Sequence, residues 1–184
     1  MSTVTERFPI LLASDFPILR ESLKAYFDRA SSIELVACAN DRNEVLPLLK
    51  LRQPKLVLLD LNIDWDELCV LLDEIHNVGG VRSLIMSDDL DSTQIIELLR
   101  HGAHGVLPRR TSEELFTKSI TNVLAGDLWV SRAIIADFVN QLRQDMPAMG
   151  SRIRPASSEE TNVDISRFNL TPRETQVVLA LADG

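Results

Sequence analysis

The stretch Lys55-Leu56-Val57-Leu58-Leu59-Asp60-Leu61-Asn62 decides the fold. It is an unbroken run of leucine and valine, lacking the alternation of a strand that shows one face to water. That composition belongs to a strand buried on both faces of a parallel sheet. The run ends on a carboxylate and a carboxamide, and an open parallel sheet binds ligands outside the carboxyl ends of its strands. Similar short apolar runs occur at residues 8–13, 33–38, 82–86 and 104–107. Between and after them, residues 17–30, 43–52, 66–76, 92–101 and 112–125 carry apolar positions at helical spacing, as at Ile95, Ile96, Leu98 and Leu99. The βα rhythm predicts a doubly wound α/β domain on a five-stranded parallel sheet, with right-handed crossovers.

Local signals set the helix ends. Asp91 or Ser92 caps the fourth helix and Ser112 the fifth, each offering an oxygen to an orphan amide. Gly102 and Gly126 end the same two helices, and Pro47 is tolerated in the second helix or kinks it. A further amphipathic helix within residues 128–145 lines up Ile134, Ile135, Phe138, Val139 and Leu142, either as a dimer face or to pack on the first domain. Residues 146–168 shift to proline, serine, glutamate and glycine and read as a linker. A helix then opens with Thr171 as cap, Pro172 at its first position and Glu174 three residues after the cap. It has an apolar stripe and nothing to bury it against, so the expectation is that further helices follow Gly184 in the parent protein.

Hydrophobic residues make up 45% of the 184 and charged residues 25%, the balance of a globular chain. No apolar run approaches the ~20 residues of a membrane span, and no secretion signal opens the chain. Acidic residues outnumber basic ones 27 to 19, a net charge of −8, which argues against nucleic-acid binding by this part alone. Cys38 and Cys69 sit in apolar contexts and read as buried reduced thiols in a cytoplasmic protein. His76, His101 and His104 fit no metal spacing with them.

At the strand ends stand Ser14 and Asp15, Asp60 and Asn62, Ser87, and, after Pro108, Arg109. Asp15 and Asp60 are expected to converge beside Ser87 and Arg109. Two carboxylates and a backbone carbonyl suit a hard octahedral cation such as Mg²⁺. Asp60 could then attack a phosphoryl group whose oxygens Ser87 and a cation stabilise. The competing reading makes these ordinary polar residues where strands meet solvent. No separate catalytic constellation is present, so the chain is expected not to be an enzyme.

The layout resembles a response-regulator receiver domain of the NarL/FixJ/LuxR type, a CheY-like fold. Leu11-Leu12-Ala13-Ser14-Asp15 is similar to the family's acidic-pair strand, and Val57-Leu58-Leu59-Asp60-Leu61 to its phosphoacceptor strand. Gly102-Ala103-His104-Gly105-Val106-Leu107-Pro108-Arg109 follows its Gly-Ala-x-Gly stretch. Asn169-Leu170-Thr171-Pro172-Arg173-Glu174 resembles the opening of a LuxR-type helix-turn-helix domain, which 169–184 would begin and not complete. The resemblance implies a receiver over residues 1–127, with Asp60 as phosphoacceptor, Asp15, Asp60 and the Asn62 carbonyl as Mg²⁺ ligands, and Ser87 and Arg109 on the phosphoryl group. It further implies a sensor histidine kinase as phosphate donor, a homodimer, and promoter DNA bound through the C-terminal helices, with no membrane partner.

The departures from the family's pattern bear on activity. Ser14 stands in place of the first acid of the pair, which weakens Mg²⁺. Arg109 replaces the family's lysine and either pairs lastingly with Asp60 or holds a phosphoryl group less closely. Ile63-Asp64-Trp65 replaces a Met-Pro-Gly turn, and Val106 replaces the aromatic switch residue. Three readings follow: weak phosphorylation of Asp60, a receiver that works without phosphate, or a pocket kept for stability. Asp64, Asp66, Glu67, Asp88 and Asp89 read as a solvated acidic rim, though Asp64 could replace some of the negative potential lost at Ser14. Trp129-Val130-Ser131-Arg132 is similar to a cyclic di-GMP motif of the family's biofilm regulators, with Trp129 and Arg132 as contacts. Val130 lies outside that motif, and Trp129 can instead simply cover the end of the fifth helix.

Overall fold

The computed structural model describes residues 7–30 and 32–145. The linker and the helix expected from Thr171 lie outside the described residues. The elements alternate as β1 (Phe8–Ser14), α1 (Pro17–Arg29), β2 (Ile33–Ala39), α2 (Arg42–Arg52), β3 (Leu56–Asp60), α3 (Trp65–Val78), β4 (Arg82–Met86), α4 (Ser92–Arg100), β5 (Gly105–Leu107) and α5 (Glu113–Ala125), then α6 (Arg132–Asp145). All strand pairs are parallel, and the order is β2-β1-β3-β4-β5.

The apolar runs lack alternation because both faces of the sheet are covered. Ile10, Leu12, Leu56 and Leu58 point to one side, where Phe27 of α1 and Phe116, Ile120 and Val123 of α5 meet them. Leu11, Ala13, Val57 and Leu59 point to the other, against Val45 and Leu49 of α2, Leu71, Leu72 and Ile75 of α3, and Leu98 of α4. At ~25 cal/mol per Å² of apolar surface, these opposed sets dominate the folding energy. Tyr26 ties α1 to α5: its ring meets that of Phe116 edge-on at 5.3 Å, and its hydroxyl lies 2.6 Å from the hydroxyl of Thr117.

Asp91, not Ser92, caps α4, in a full capping box with Gln94. Ser112 caps α5. Gly126 ends α5 in the left-handed region, and Gly102, just after α4, has a φ of +90°. In α6, Ile134 and Phe138 are buried. Cys69 is buried but Cys38 is partly exposed, which corrects the expectation of two buried thiols. The reason is position: Cys38 lies on β2, an edge strand with no neighbour on its outer side.

Candidate functional site

The register of β1 against β3 builds the site. Ser14 and Asp60 are direct partners on these adjacent parallel strands, so their side chains leave the sheet on the same face. Asp60 is 1% exposed, and a buried carboxylate needs partners for its oxygens. It has two. Ser14 Oγ donates to Oδ2 at 3.0 Å, and Arg109 Nε donates to Oδ1 at 2.6 Å.

Each partner is itself held. Ser14 Oγ accepts from the Phe16 amide at 3.2 Å, and the Ser14 carbonyl accepts from Arg20 at 2.6 Å. Arg109 follows β5 after Pro108. Its amide donates to Asp88 Oδ1 at 3.0 Å, and its guanidinium carbon lies 5.7 Å from the centre of the Phe16 ring, within cation–π range. The hydrogen bond to Asp60 raises the Arg109 pKa; burial opposes this, while the charges of Asp60, Asp88 and Asp89 add to it. The pair therefore stays ionised on the arginine side at any ordinary pH.

Asp15 is exposed, and its Oδ2 accepts from the Asn62 amide at 3.2 Å. It thus tethers the loop after β3 to the end of β1. Ser87 stands half-buried at the end of β4, its amide donating to the Leu107 carbonyl at 3.0 Å. Among the described residues, its hydroxyl makes no hydrogen bond to Asp60. Asp64 precedes α3 without a side-chain capping bond.

The second candidate cluster has a structural occupation. The Trp129 backbone forms a parallel bridge to Gly105: its amide donates to the His104 carbonyl at 2.9 Å, and its carbonyl accepts from the Val106 amide at 3.1 Å. The Trp129 side chain packs on the cluster shared by β1, β3, α1 and α5. A Cβ on Gly105 would lie 2.7 Å from both the Cβ and the carbonyl oxygen of Trp129, so this approach requires glycine. Arg132 begins α6 and is exposed. Beside Val106 lies a hollow of about 290 Å³ bounded by Trp129, Val130 and Ser131.

Two features escaped sequence reasoning. Ser14 was legible as a lost acid, while its gain as a donor to Asp60 depends on strand register. The bridge at Trp129 has no periodic signal; a glycine in a strand pattern, Gly105, was the available hint of a close backbone approach.

Receiver domains bind Mg²⁺ at their acidic pocket, and the residues present bear on that fit. Each oxygen of Asp60 accepts one hydrogen bond, one of them from the Arg109 cation, and the residue before Asp15 is a serine. As built, Ser14 leaves the pocket one carboxylate short of a paired-acid site, and Arg109 competes with a cation for Asp60.

A family model, the response regulator receiver domain, matches residues 10–121. The chain is 27% identical over 177 residues to the nitrate/nitrite response regulator protein NarL of Escherichia coli K12, covering 95% of this chain and 75% of that protein. It is 24% identical over 178 residues to the transcriptional regulatory protein LnrK of Bacillus subtilis, covering 95% of this chain and 77% of that one. A LuxR-family two-component response regulator from Aurantimonas sp. SI85-9A1 superposes with a TM-score of 0.63 at 25% identity, over 76% of this chain and all of that one. The receiver domain of a NarL regulator from Mycobacterium tuberculosis, at 20% identity, shares the fold with a TM-score of 0.58, over 66% of this chain and 98% of that one. The chain thus belongs to the response regulator receiver domain family, in the NarL/LuxR branch that serves two-component control of transcription.

Proposed function

We propose that this chain is the regulatory part of a DNA-binding transcription regulator whose receiver is set by an internal ion pair, with Asp60 a poor phosphoacceptor. One observation carries the reading: both oxygens of the Asp60 carboxylate are engaged, by Arg109 Nε and Ser14 Oγ. A nucleophilic carboxylate must present a free oxygen in line with the phosphoryl group, and metal-assisted transfer needs a cation on the same carboxylate. Arg109 fills part of that electrostatic role permanently. It offers a planar fork, tied to Asp60 through Nε, where a compact ammonium would leave room for an ion.

On this reading the receiver (residues 1–127) controls a homodimer through α6 (within 128–145) and the linker 146–168. The helix-turn-helix part that residues 169–184 begin supplies the promoter contacts. A sensor histidine kinase is dispensable, Mg²⁺ binds weakly at most, no catalytic turnover is involved, and the setting is cytoplasmic. Among the described residues, no helix is long and apolar enough to cross a membrane. The backbone and packing duties of Trp129 favour a structural role over cyclic di-GMP binding, which is left out of the proposal.

The test is an intact-mass spectrum after incubation with acetyl phosphate, with and without Mg²⁺, beside Asp60→Asn and the double variant Ser14→Asp/Arg109→Lys. The expected result is little or no adduct on the native chain and a Mg²⁺-dependent adduct on the double variant. A near-complete Mg²⁺-dependent adduct on the native chain, lost in Asp60→Asn, would sink the reading.

A further inference from the structure

Phe16 serves its own helix poorly. It is the N-cap of α1, yet its side chain gives no hydrogen bond to the free amides of the first turn, where serine, threonine, aspartate and asparagine are preferred. Its side chain is also apolar and the residue 46% exposed. Departures of this kind from local preference fall at functional sites, and this one meets Arg109. The guanidinium carbon lies 5.7 Å from the ring centre, within the range at which a cation is drawn to an aromatic face.

The backbone fixes the residue in that place. Pro17 follows, and a residue before proline is confined to extended conformations; Phe16 adopts one, at φ −93° and ψ 104°. Its carbonyl accepts from the Arg20 amide at 3.1 Å, and its amide donates to Ser14 Oγ at 3.2 Å. The second of these bonds serves Asp60 as well. While Ser14 Oγ accepts from the amide, the hydroxyl keeps its own proton for Asp60 Oδ2, 3.0 Å away, and bonds chained in this way polarise one another. Phe16 thus meets both donors to Asp60, Arg109 by its ring and Ser14 by its amide.

Taking as given the internal ion pair proposed above, we infer that Phe16 is its positioning residue: the ring holds the Arg109 guanidinium against Asp60, and the amide aims the Ser14 hydroxyl at the other carboxylate oxygen. The acceptor is then loosened by the loss of an uncharged side chain that can make no hydrogen bond to Asp60.

The test reads the Arg109 Nε–H itself, by its hydrogen exchange in proton–nitrogen correlation spectra of the full chain, the signal being assigned by its loss in Arg109→Lys. Exchange should be slow in the native chain and faster in Asp60→Ala, which removes the acceptor. Phe16→Leu and Phe16→Met keep apolar bulk without a ring and should raise the rate about two- to fivefold; should one of them fold poorly, the other decides. Phe16→Tyr, which keeps the aromatic face, should exchange at the native rate. Ile18, 85% exposed on the first turn of α1, supplies the control, and Ile18→Ser should leave the rate unchanged. A native rate in the ringless variants would overturn the inference, as would Phe16→Tyr exchanging as fast as Phe16→Leu. So would an equal rise in Ile18→Ser, since that would mark a loosened helix start and not the loss of a ring. Exchange in the native chain as fast as in Asp60→Ala would instead remove the ion pair, and the inference with it.

Discussion

Replacing Arg109 with glutamine removes the cation from a carboxylate that has no solvent to fall back on. The Asp60 side chain is 0% exposed, and its Oδ1 receives Arg109 Nε at 2.6 Å. A hydrogen bond to a charged group contributes about 1.5–3 kcal/mol, and orphaning one member of a fully buried pair costs about 3–5 kcal/mol. The arginine side chain is 35% exposed, so water enters where it stood and the cost falls to about 2 kcal/mol. For a chain of this size that lowers Tm by roughly 4–8 °C. Asp60→Asn/Arg109→Gln should recover much of the loss, because no charge is left to strand. Thermal and urea unfolding of the four chains, followed by far-UV circular dichroism, closes a double-mutant cycle with an expected coupling of about 1–2 kcal/mol. A coupling below ~0.5 kcal/mol, or an Arg109→Gln chain melting within ~2 °C of native, would refute the clamp.

Further predictions concern the metal, the bridge and the thiols. Mg²⁺ should leave the Tm of the native chain unchanged and raise that of Ser14→Asp/Arg109→Lys, as binding to the folded state alone requires; a clear rise in the native chain would contradict the proposed occupation of Asp60 by Arg109. Gly105→Ala should cost about 1–3 kcal/mol, because the new Cβ meets Trp129 at 2.7 Å. Chemical denaturation would show the loss, and a red-shifted Trp129 emission should accompany it. Burial, the leading cause, raises the pKa of both thiols, so their reaction with a thiol reagent should climb with pH later than that of an ordinary cysteine at about 8.5. Because the folded values lie above the unfolded ones, the thiols' contribution to stability is complete below about pH 8.5 and declines as pH rises through the folded values. Melting curves across that range should fall more steeply in the native chain than in Cys38→Ser/Cys69→Ala.

Strand and helix positions were legible in the sequence because the physics that sets them is local or periodic. The run 56–60 is buried on both faces and reads as such, and Asp91, Ser112 and Gly126 mark helix ends by their chemistry alone. Asp60 and Arg109 were readable as site residues from their places at strand ends. The structure places Arg109 Nε 2.6 Å from Asp60, the contact on which the proposed lasting pairing rests. What stayed hidden depends on which residues stand side by side across strands. Ser14 reads as a missing charge until the register sets it opposite Asp60. The hydrogen bond from the Asn62 amide to Asp15 likewise depends on how the loop after β3 lies beside the end of β1. Trp129 reads as part of a nucleotide motif until its backbone is seen against β5.

That backbone bridge also protects the fold from the wrong neighbours. A parallel sheet ends in a strand whose outer amides and carbonyls invite another chain to add on, the route to lateral aggregation. Here β5 is only three residues long, and Trp129 takes the outward amide of Val106 and the outward carbonyl of His104. Unwanted strand addition is then confined to the far side of the molecule. There β2 is the border strand, and it carries the exposed charge of Glu34, which repels the approach of another acidic chain.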